Sequence, residues 1–322
     1  MAKPRILLTR AWPEAVEARL ARDYDAVLNR EDTAMGTAEI GAALAEFDAV
    51  CPTVSDRLPA EIFTGGHRAR ILGNFGVGVN HIAVDAARTA GIEVTNTPGV
   101  LTDCTADLAL TLMLMLARRA GEGEREVRAG RWSGWRPTHM IGARLSGKTL
   151  GIVGMGRIGL ATARRAQAGF GMRVVYYNRS PVPAESLAGL DAARLDTVDQ
   201  VMTAADVVSL HVPGGAGTAG LIDAERLALL GPEGFLVNTA RGDVVDEAAL
   251  VAALEAGAIA GAGLDVYADE PRVPEALTRR DDVVLLPHLG SATRETREAM
   301  GHMVADTLDA VFAGRDVPNR VG

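Results

Sequence analysis

Cysteine is nearly absent from this chain: Cys51 and Cys104 are the only two thiols in 322 residues. They stand far apart, and neither has a second Cys or a His at metal-ligand spacing. A disulfide-stapled scaffold and a thiolate metal site are therefore not expected, and no metal site is. The reading is of a reduced intracellular protein with both thiols buried as small inert residues. Aromatics are scarce too, at 4% against 48% hydrophobic residues overall. A core with so few rings must be filled by Ala, Val, Leu and Ile, which suits helices on parallel sheets better than a β-sandwich. Basic runs are missing, and the formal net charge is −8 with both signs scattered. Nucleic acid is then no expected partner. The longest apolar stretch, residues 108–117, is too short for a bilayer, which takes roughly 20 residues. The N-terminus has only a brief apolar run before Thr9 and Arg10, so a signal peptide is not expected. No membrane partner and a cytoplasmic location are the expectations.

What is present alternates. Strands are predicted at 5–9, 25–29, 49–53, from 69 into a glycine-rich loop, and at 92–96. Helices fit 13–22, 37–48 and 83–91 between them, which makes this part α/β with a parallel sheet. After Pro98-Gly99 a helix is predicted from Thr102 into the 120s, with Asp103 and Asp107 at its positive end. Residues 108–116 are apolar nearly all round, so this helix should be buried on more than one side. It reads as a central core helix, or as one that passes between domains and helps a dimer form. A second alternation begins at 147, with strands at 149–153, 173–177, 206–210, 235–238, 262–266 and 283–286 and a surface loop at 213–220. The amphipathic stretch 292–314 has no sheet of its own to cover. It should pack back on the first domain and make that domain discontinuous. The fold class is α/β, with two Rossmann-like domains on parallel sheets. Residues 1–99 and 289–322 form the substrate domain, closed by the C-terminal helix, and 100–288 the dinucleotide-binding domain.

Gly154, Met155, Gly156, Arg157, Ile158 and Gly159 match G-x-G-x-x-G, directly after an apolar strand and at the start of an Ala-rich helix. In that context the first glycine permits the tight turn, the second lets backbone N–H groups reach a pyrophosphate, and the third brings helix and sheet together. An acid that would bind an NAD ribose belongs about 20 residues on. This chain has Asn178, Arg179 and Ser180 there instead. Asn does not repel a 2′-phosphate, Arg offers a planar cationic fork, and Ser adds a hydroxyl. The expected cofactor is NADP, in its reduced form NADPH, or else NAD.

Arg241, Asp265 with Glu270, and His288 each follow a predicted strand. In open α/β sheets ligands bind beyond the carboxyl ends of the strands, so all three loops should open on the edge that carries the glycine turn. A cationic clamp, a carboxylate and a histidine beside a dinucleotide point to hydride transfer with proton transfer.

With these residues in place, the chain resembles the D-isomer-specific 2-hydroxyacid dehydrogenases over nearly its whole length. The stretches "GNFGVGVNHIAVDAARTAGIEVTNTPGVLTDCTADLAL", "LSGKTLGIVGMGRIG", "NTARGDVVDEAALVAALEAGAIAGAGLDVYADEP" and "LPHLGSAT" carry the likeness. "GVGVNHIAV", "GRWSGWRPTHMIG" and "YYNRSP" resemble the glyoxylate/hydroxypyruvate reductase branch. The resemblance implies His288 as general acid/base, Glu270 as its partner, and Arg241 on the substrate carboxylate and carbonyl oxygen. It implies the N–H groups of Val77 and Gly78 as further carboxylate donors, and Asp265 at the nicotinamide carboxamide. Thr105, His211, Val212, Pro213, Thr218, Thr239, Ala240 and Gly290 match cofactor-lining positions. The loop "GGAGTAG" departs from the family pattern, which leaves the contacts there open. Glu270 stands where the formate dehydrogenase branch has Gln. A regulatory domain after the C-terminal helix, found in many phosphoglycerate dehydrogenases, is not expected here. Trp135 is read as lining a substrate pocket, this chain's or a dimer partner's, or as packing.

The expected activity is reduction of small 2-keto acids to D-2-hydroxy acids by a homodimer, with glyoxylate and hydroxypyruvate first and NADPH preferred. The site should lie between the domains, whose closure excludes water. The alternatives are a phosphoglycerate dehydrogenase-like or other D-2-hydroxyacid dehydrogenase using NAD, and a dinucleotide-sensing co-repressor-like binding protein.

Overall fold

The computed structural model describes residues 2–322; Met1 lies outside the described residues. The chain divides into two compact units, one running up to Leu101 and resuming at Ser291–Gly322, the other Thr102–Gly290.

The first unit holds a five-stranded parallel sheet. Its strands are β1 (Arg5–Leu8), β2 (Asp25–Val27), β3 (Ala49–Cys51), β4 (Ile71–Gly73) and β5 (Glu93–Thr95), in the order β2-β1-β3-β4-β5. Helices α1 (Glu14–Asp23), α2 (Thr37–Glu46) and α3 (Val84–Thr89) connect them. Alternation along β1 shows why both sheet faces are apolar. Ile6 and Leu8 enter one buried cluster and Leu7 the opposite one.

The second unit opens with α4 (Thr102–Ala117) and α5 (Ala120–Arg128). The helix expected from Thr102 into the 120s is thus two helices. Arg119 takes a left-handed φ of 50° at the break, and its guanidinium grips Glu122 at 2.8 and 2.9 Å. α4 is buried by strands and helix of its own unit, through Leu112, Met113 and Leu116. Asp103 and Asp107, at its start, both bind Arg165. Cys51 is buried as expected, but Cys104 is only partly so, because it sits on the first turn of α4.

Seven parallel strands follow: β6 (Thr149–Val153), β7 (Arg173–Tyr177), β8 (Ala192–Arg194), β9 (Val207–Leu210), β10 (Phe235–Asn238), β11 (Gly261–Leu264) and β12 (Val283–Leu285). Their order is β12-β11-β10-β9-β6-β7-β8. β8 was not expected, since "DAARLD" has no β-branched residue to mark a strand. Pairing with β7 makes it one. The connections carry α6 (Arg157–Phe170), α7 (Val198–Ala204), α8 (Ala224–Leu230), α9 (Glu247–Glu255) and the short α10 (Glu275–Thr278). Clusters around Leu236 and around Leu150 and Ile152 cover the two faces. Finally α11 (Arg294–Phe312) returns to the first unit and buries Met300, Val304 and Leu308 with Val16 of α1 and Ile71 of β4. No helix among the described residues is long and apolar enough to cross a membrane.

Candidate active site

Chain direction places the chemistry. β6, β9, β10, β11 and β12 are neighbours and parallel, so the loops after them leave from one edge of the sheet. The glycine turn follows β6, Arg241 follows β10, Asp265 follows β11 and His288 follows β12. That edge is where open α/β sheets bind ligands.

His288 is held in a backbone conformation that side chains seldom adopt, with φ 55°. Such a residue costs about 1–3 kcal/mol and needs its surroundings to fix it. Asp265 does so. Its carbonyl accepts the N–H of His288 at 2.9 Å. Its two carboxylate oxygens accept the N–H groups of Leu289 at 2.6 Å and Gly290 at 2.8 Å. Three successive N–H groups therefore converge on one buried residue, and burial pushes the Asp265 carboxyl up. Thr105 Oγ1 closes the loop from the other side by donating to Gly290 O at 2.8 Å.

His288 Nδ1 meets Glu270 Oε2 at 2.8 Å. The other Glu270 oxygen accepts the N–H of Tyr267 at 3.1 Å. Burial pushes the Glu270 carboxyl up, but His288, the Tyr267 N–H and Arg241 outweigh it, and the net shift is downward. Glu270 is thus a fixed carboxylate held against Nδ1 of the ring, and the contact leaves Nε2 on the ring's other side. Arg241 is deeply set. Burial lowers its guanidinium below the ordinary value, against the pull of Glu270 and Asp243, and an arginine stays a cation even so. Asn238, at the end of β10, shapes its turn by accepting the N–H of Ala240 at 3.0 Å and donating to Arg241 O at 2.8 Å.

In the glycine turn, Gly154 has φ 99°, and a Cβ there would lie 2.7 Å from the His211 carbonyl carbon. A Cβ on Gly156 would meet nothing within 4 Å, and no side chain caps α6 at that residue. The open helix end is free to take an anion. Arg157 is exposed beside it, Ile158 half-buried and Met155 buried. Asn178 accepts the Met155 N–H at 3.0 Å and donates to Ser180 O at 2.8 Å. A carboxylate could make only the first of these bonds. The amide therefore closes the loop as well as replacing an acid, and Arg179 and Ser180 stand exposed on it.

The remaining positions divide. Thr239 is buried with its hydroxyl unpartnered, next to buried Ala240. The His211 ring turns inward to Ser209 at 2.9 Å, and burial lowers it to about 3. Only its main chain lies against the glycine turn. Val212 is half-buried and Pro213 exposed. Thr218 Oγ1 donates to Pro213 O at 2.6 Å, inside its own loop. Val77 and Gly78 lie in the first unit, in the loop after β4. Trp135 is 83% exposed, which removes packing within the chain as its role. Sequence reasoning missed Tyr267, Asn238 and Gly242, which shape the loops. Asn238 and Gly242 are not reactive residue types, and Tyr267 spends its phenol on the Leu264 and Leu286 carbonyls, so no motif of chemistry marks them.

A dinucleotide fits this edge: the helix end is uncapped, the space over Gly156 is open and Thr239 offers an unpaired hydroxyl. Among the described residues no group of three or more His, Cys, Asp or Glu could hold a metal ion.

Comparison with known proteins agrees with this chemistry. The model for the D-isomer specific 2-hydroxyacid dehydrogenase NAD binding domain matches residues 110–290. The glyoxylate reductase of Thermococcus litoralis is 42% identical over 324 residues, 99% of this chain and 97% of that one. The glycerate dehydrogenase of Hyphomicrobium methylovorum is 37% identical over 318 residues, 98% of each chain. A solved NADPH-dependent glyoxylate/hydroxypyruvate reductase from Sinorhizobium meliloti, in complex with NADP and malonate, has a TM-score of 0.89 at 39% identity. That match covers 100% of this chain and 97% of the other.

Proposed function

The chain belongs to the D-isomer specific 2-hydroxyacid dehydrogenase family, in its glyoxylate reductase branch, and we propose that it is an NADPH-preferring reductase of small 2-keto acids, glyoxylate and hydroxypyruvate first. Membership makes it an oxidoreductase of the CH–OH group with a nicotinamide dinucleotide cofactor. The observation that carries the reaction type is the His288–Glu270 contact of 2.8 Å on the edge that bears the glycine turn and Arg241.

The proposed roles follow from charge and donor chemistry. Arg241 holds the 2-keto acid and stabilises the negative charge that grows on the carbonyl oxygen. His288, as imidazolium, gives its Nε2 proton to that oxygen, while Glu270 keeps the ring turned. A reduced nicotinamide dinucleotide, when bound, would supply the hydride. The backbone at Gly154–Ile158 would hold its pyrophosphate, Thr105, Thr239 and Gly290 would line its path, and Asp265 would keep the His288 loop in place. A panel of 2-keto acids assayed with NADPH and NADH in parallel tests the whole reading. Tight NADPH binding without turnover of any of them would replace it with a binding function.

NADPH preference rests on the exposed Arg179 and Ser180 beside an amide rather than an acid. Arg179→Ala should cut kcat/KM with NADPH about 10- to 100-fold, the worth of a charge-assisted bond, and leave NADH use nearly unchanged. An unaltered NADPH-to-NADH ratio would refute the selector.

A homodimer is the assembly we infer. Among the described residues, the exposed large hydrophobics concentrate in one stretch: Leu114, Val127, Trp132, Trp135 and Ile141. Ile141 also lines a groove of ≈ 1000 Å³ in which Met115 and Phe235 alternate with charged residues such as Arg119, Glu122, Arg125 and Asp281, and which contains none of the catalytic candidates. Exposed apolar surface of this kind marks association. Light scattering should give twice the chain mass for the wild type and a monomer for Ile141→Asp combined with Trp135→Ser. A monomeric wild type would end this reading.

A further inference from the structure

Chain leaves β4 as the loop Asn74-Phe75-Gly76-Val77-Gly78. Asn74 is fully buried, and its Nδ2 donates to Gly76 O at 3.0 Å and to Gly78 O at 3.1 Å. Both N–H bonds of the amide are then engaged. Its Oδ1 faces His81 Nε2 at 3.1 Å. An oxygen can only accept, so His81 must carry a proton on Nε2. Asn96, just after β5, donates Nδ2 to Val77 O at 2.9 Å, and the Thr97 N–H donates to Gly76 O at 3.0 Å.

Three successive carbonyls are thereby tied back into the fold. In a planar trans peptide the N–H points opposite to the C=O. Tying Gly76 O and Val77 O inward therefore turns the N–H groups of Val77 and Gly78 outward. Neither donates to any acceptor among the described residues, though both residues are half-buried. Backbone donors left unpaired in such a place are suited to an anion.

We propose that Asn74, Asn96 and His81 are positioning residues that aim the N–H groups of Val77 and Gly78 at the carboxylate of the 2-keto acid. The inference rests on the reading of the protein as a 2-keto acid reductase whose substrate carboxylate those two groups bind. None of the three side chains need touch the substrate. They remove the freedom of the peptide planes, so the donors meet the anion without reorganisation.

The test compares glyoxylate with glyoxylamide, its uncharged analogue, at saturating NADPH. A wild type that does not favour the acid over the amide would show that the carboxylate reading itself fails. A wild type that does favour the acid leaves the positioning claim to the variants. Asn74→Ala and Asn96→Ala should each raise KM for glyoxylate about 10- to 100-fold, with kcat within about threefold. Affinity for NADPH and KM for the amide should stay at wild-type values. His81→Leu should behave likewise, whereas His81→Gln, whose amide can donate to Asn74 Oδ1, should restore the wild-type KM. Where Asn74→Ala fails to fold by circular dichroism, Asn96→Ala and the His81 pair carry the test. An unchanged acid-to-amide ratio in Asn96→Ala and His81→Leu would overturn the proposal. So would a joint loss of kcat, KM and NADPH affinity, which is the mark of general damage.

Discussion

The His288→Asn variant should reduce glyoxylate with kcat lowered roughly 10²- to 10⁴-fold, the usual contribution of a positioned general acid, while binding NADPH normally. The side chain is small enough to fit, and asparagine tolerates the left-handed backbone required here, with φ 55°. Folding is therefore spared and chemistry is lost. Asparagine can still donate a hydrogen bond from its amide, but it cannot give up the proton. On the acid side Glu270 matters. Its folded value is depressed, so it remains a carboxylate as pH falls through the ordinary glutamate range, and its hold on His288 is released only below that range. Stopped-flow single turnovers across pH would separate chemistry from release. Near wild-type kcat in His288→Asn would remove His288 from the role of proton donor.

Gly242→Ala should be nearly as damaging, although Gly242 touches no reactant. A Cβ at this position would lie 1.9 Å from the carbonyl carbon of Tyr267 and 2.0 Å from its oxygen. Neither atom can rotate away, because both are main chain. Tyr267 itself is pinned: its hydroxyl donates to Leu286 O at 2.9 Å, and its N–H holds Glu270. The methyl group must therefore separate the segment bearing Arg241 from the one bearing Glu270, with a shift of about 1 Å. Overpacking of this kind costs about 1–3 kcal/mol, and a misplacement of that size can cost about 10²-fold in rate. Both a lower Tm and a lower kcat are expected, with NADPH affinity changed less than either. Gly217→Ala is the control. It lies in the exposed loop 213–220, where a Cβ would meet nothing within 4 Å, and should leave stability and rate unchanged. Wild-type kcat and Tm in Gly242→Ala would show that the loops can separate without harm.

The two experiments differ in how visible their targets are in the sequence. His288 is a reactive residue after an apolar run, at the spacing of a strand end, so it can be found without coordinates. Gly242 is one of 36 glycines, and nothing in "TARGD" says that Tyr267 lies against it. The same division runs through the fold. The strands at β6, β7, β9 and β10 were legible because apolar β-branched residues mark buried parallel strands. β8 was not, because three residues of "AAR" become a strand only through their partner β7. The long helix was legible in its apolar pattern, but not its break at Arg119, where a left-handed residue and the grip on Glu122 interrupt it.

The sequence by itself determined the α/β class, the strand-to-helix glycine turn, the reactive residues after the strands and the missing acid at Asn178. Each depends on residues that are close in the chain or on a short periodic pattern. Only the tertiary structure decided what those residues are bonded to. It showed Asn178 closing the glycine turn through two hydrogen bonds, the His211 ring facing inward, and Asp265 gathering the N–H groups of His288, Leu289 and Gly290. A hydrogen bond or a steric contact joins segments whose separation along the chain carries no local signal, so it is set by how the strands are ordered in the sheet.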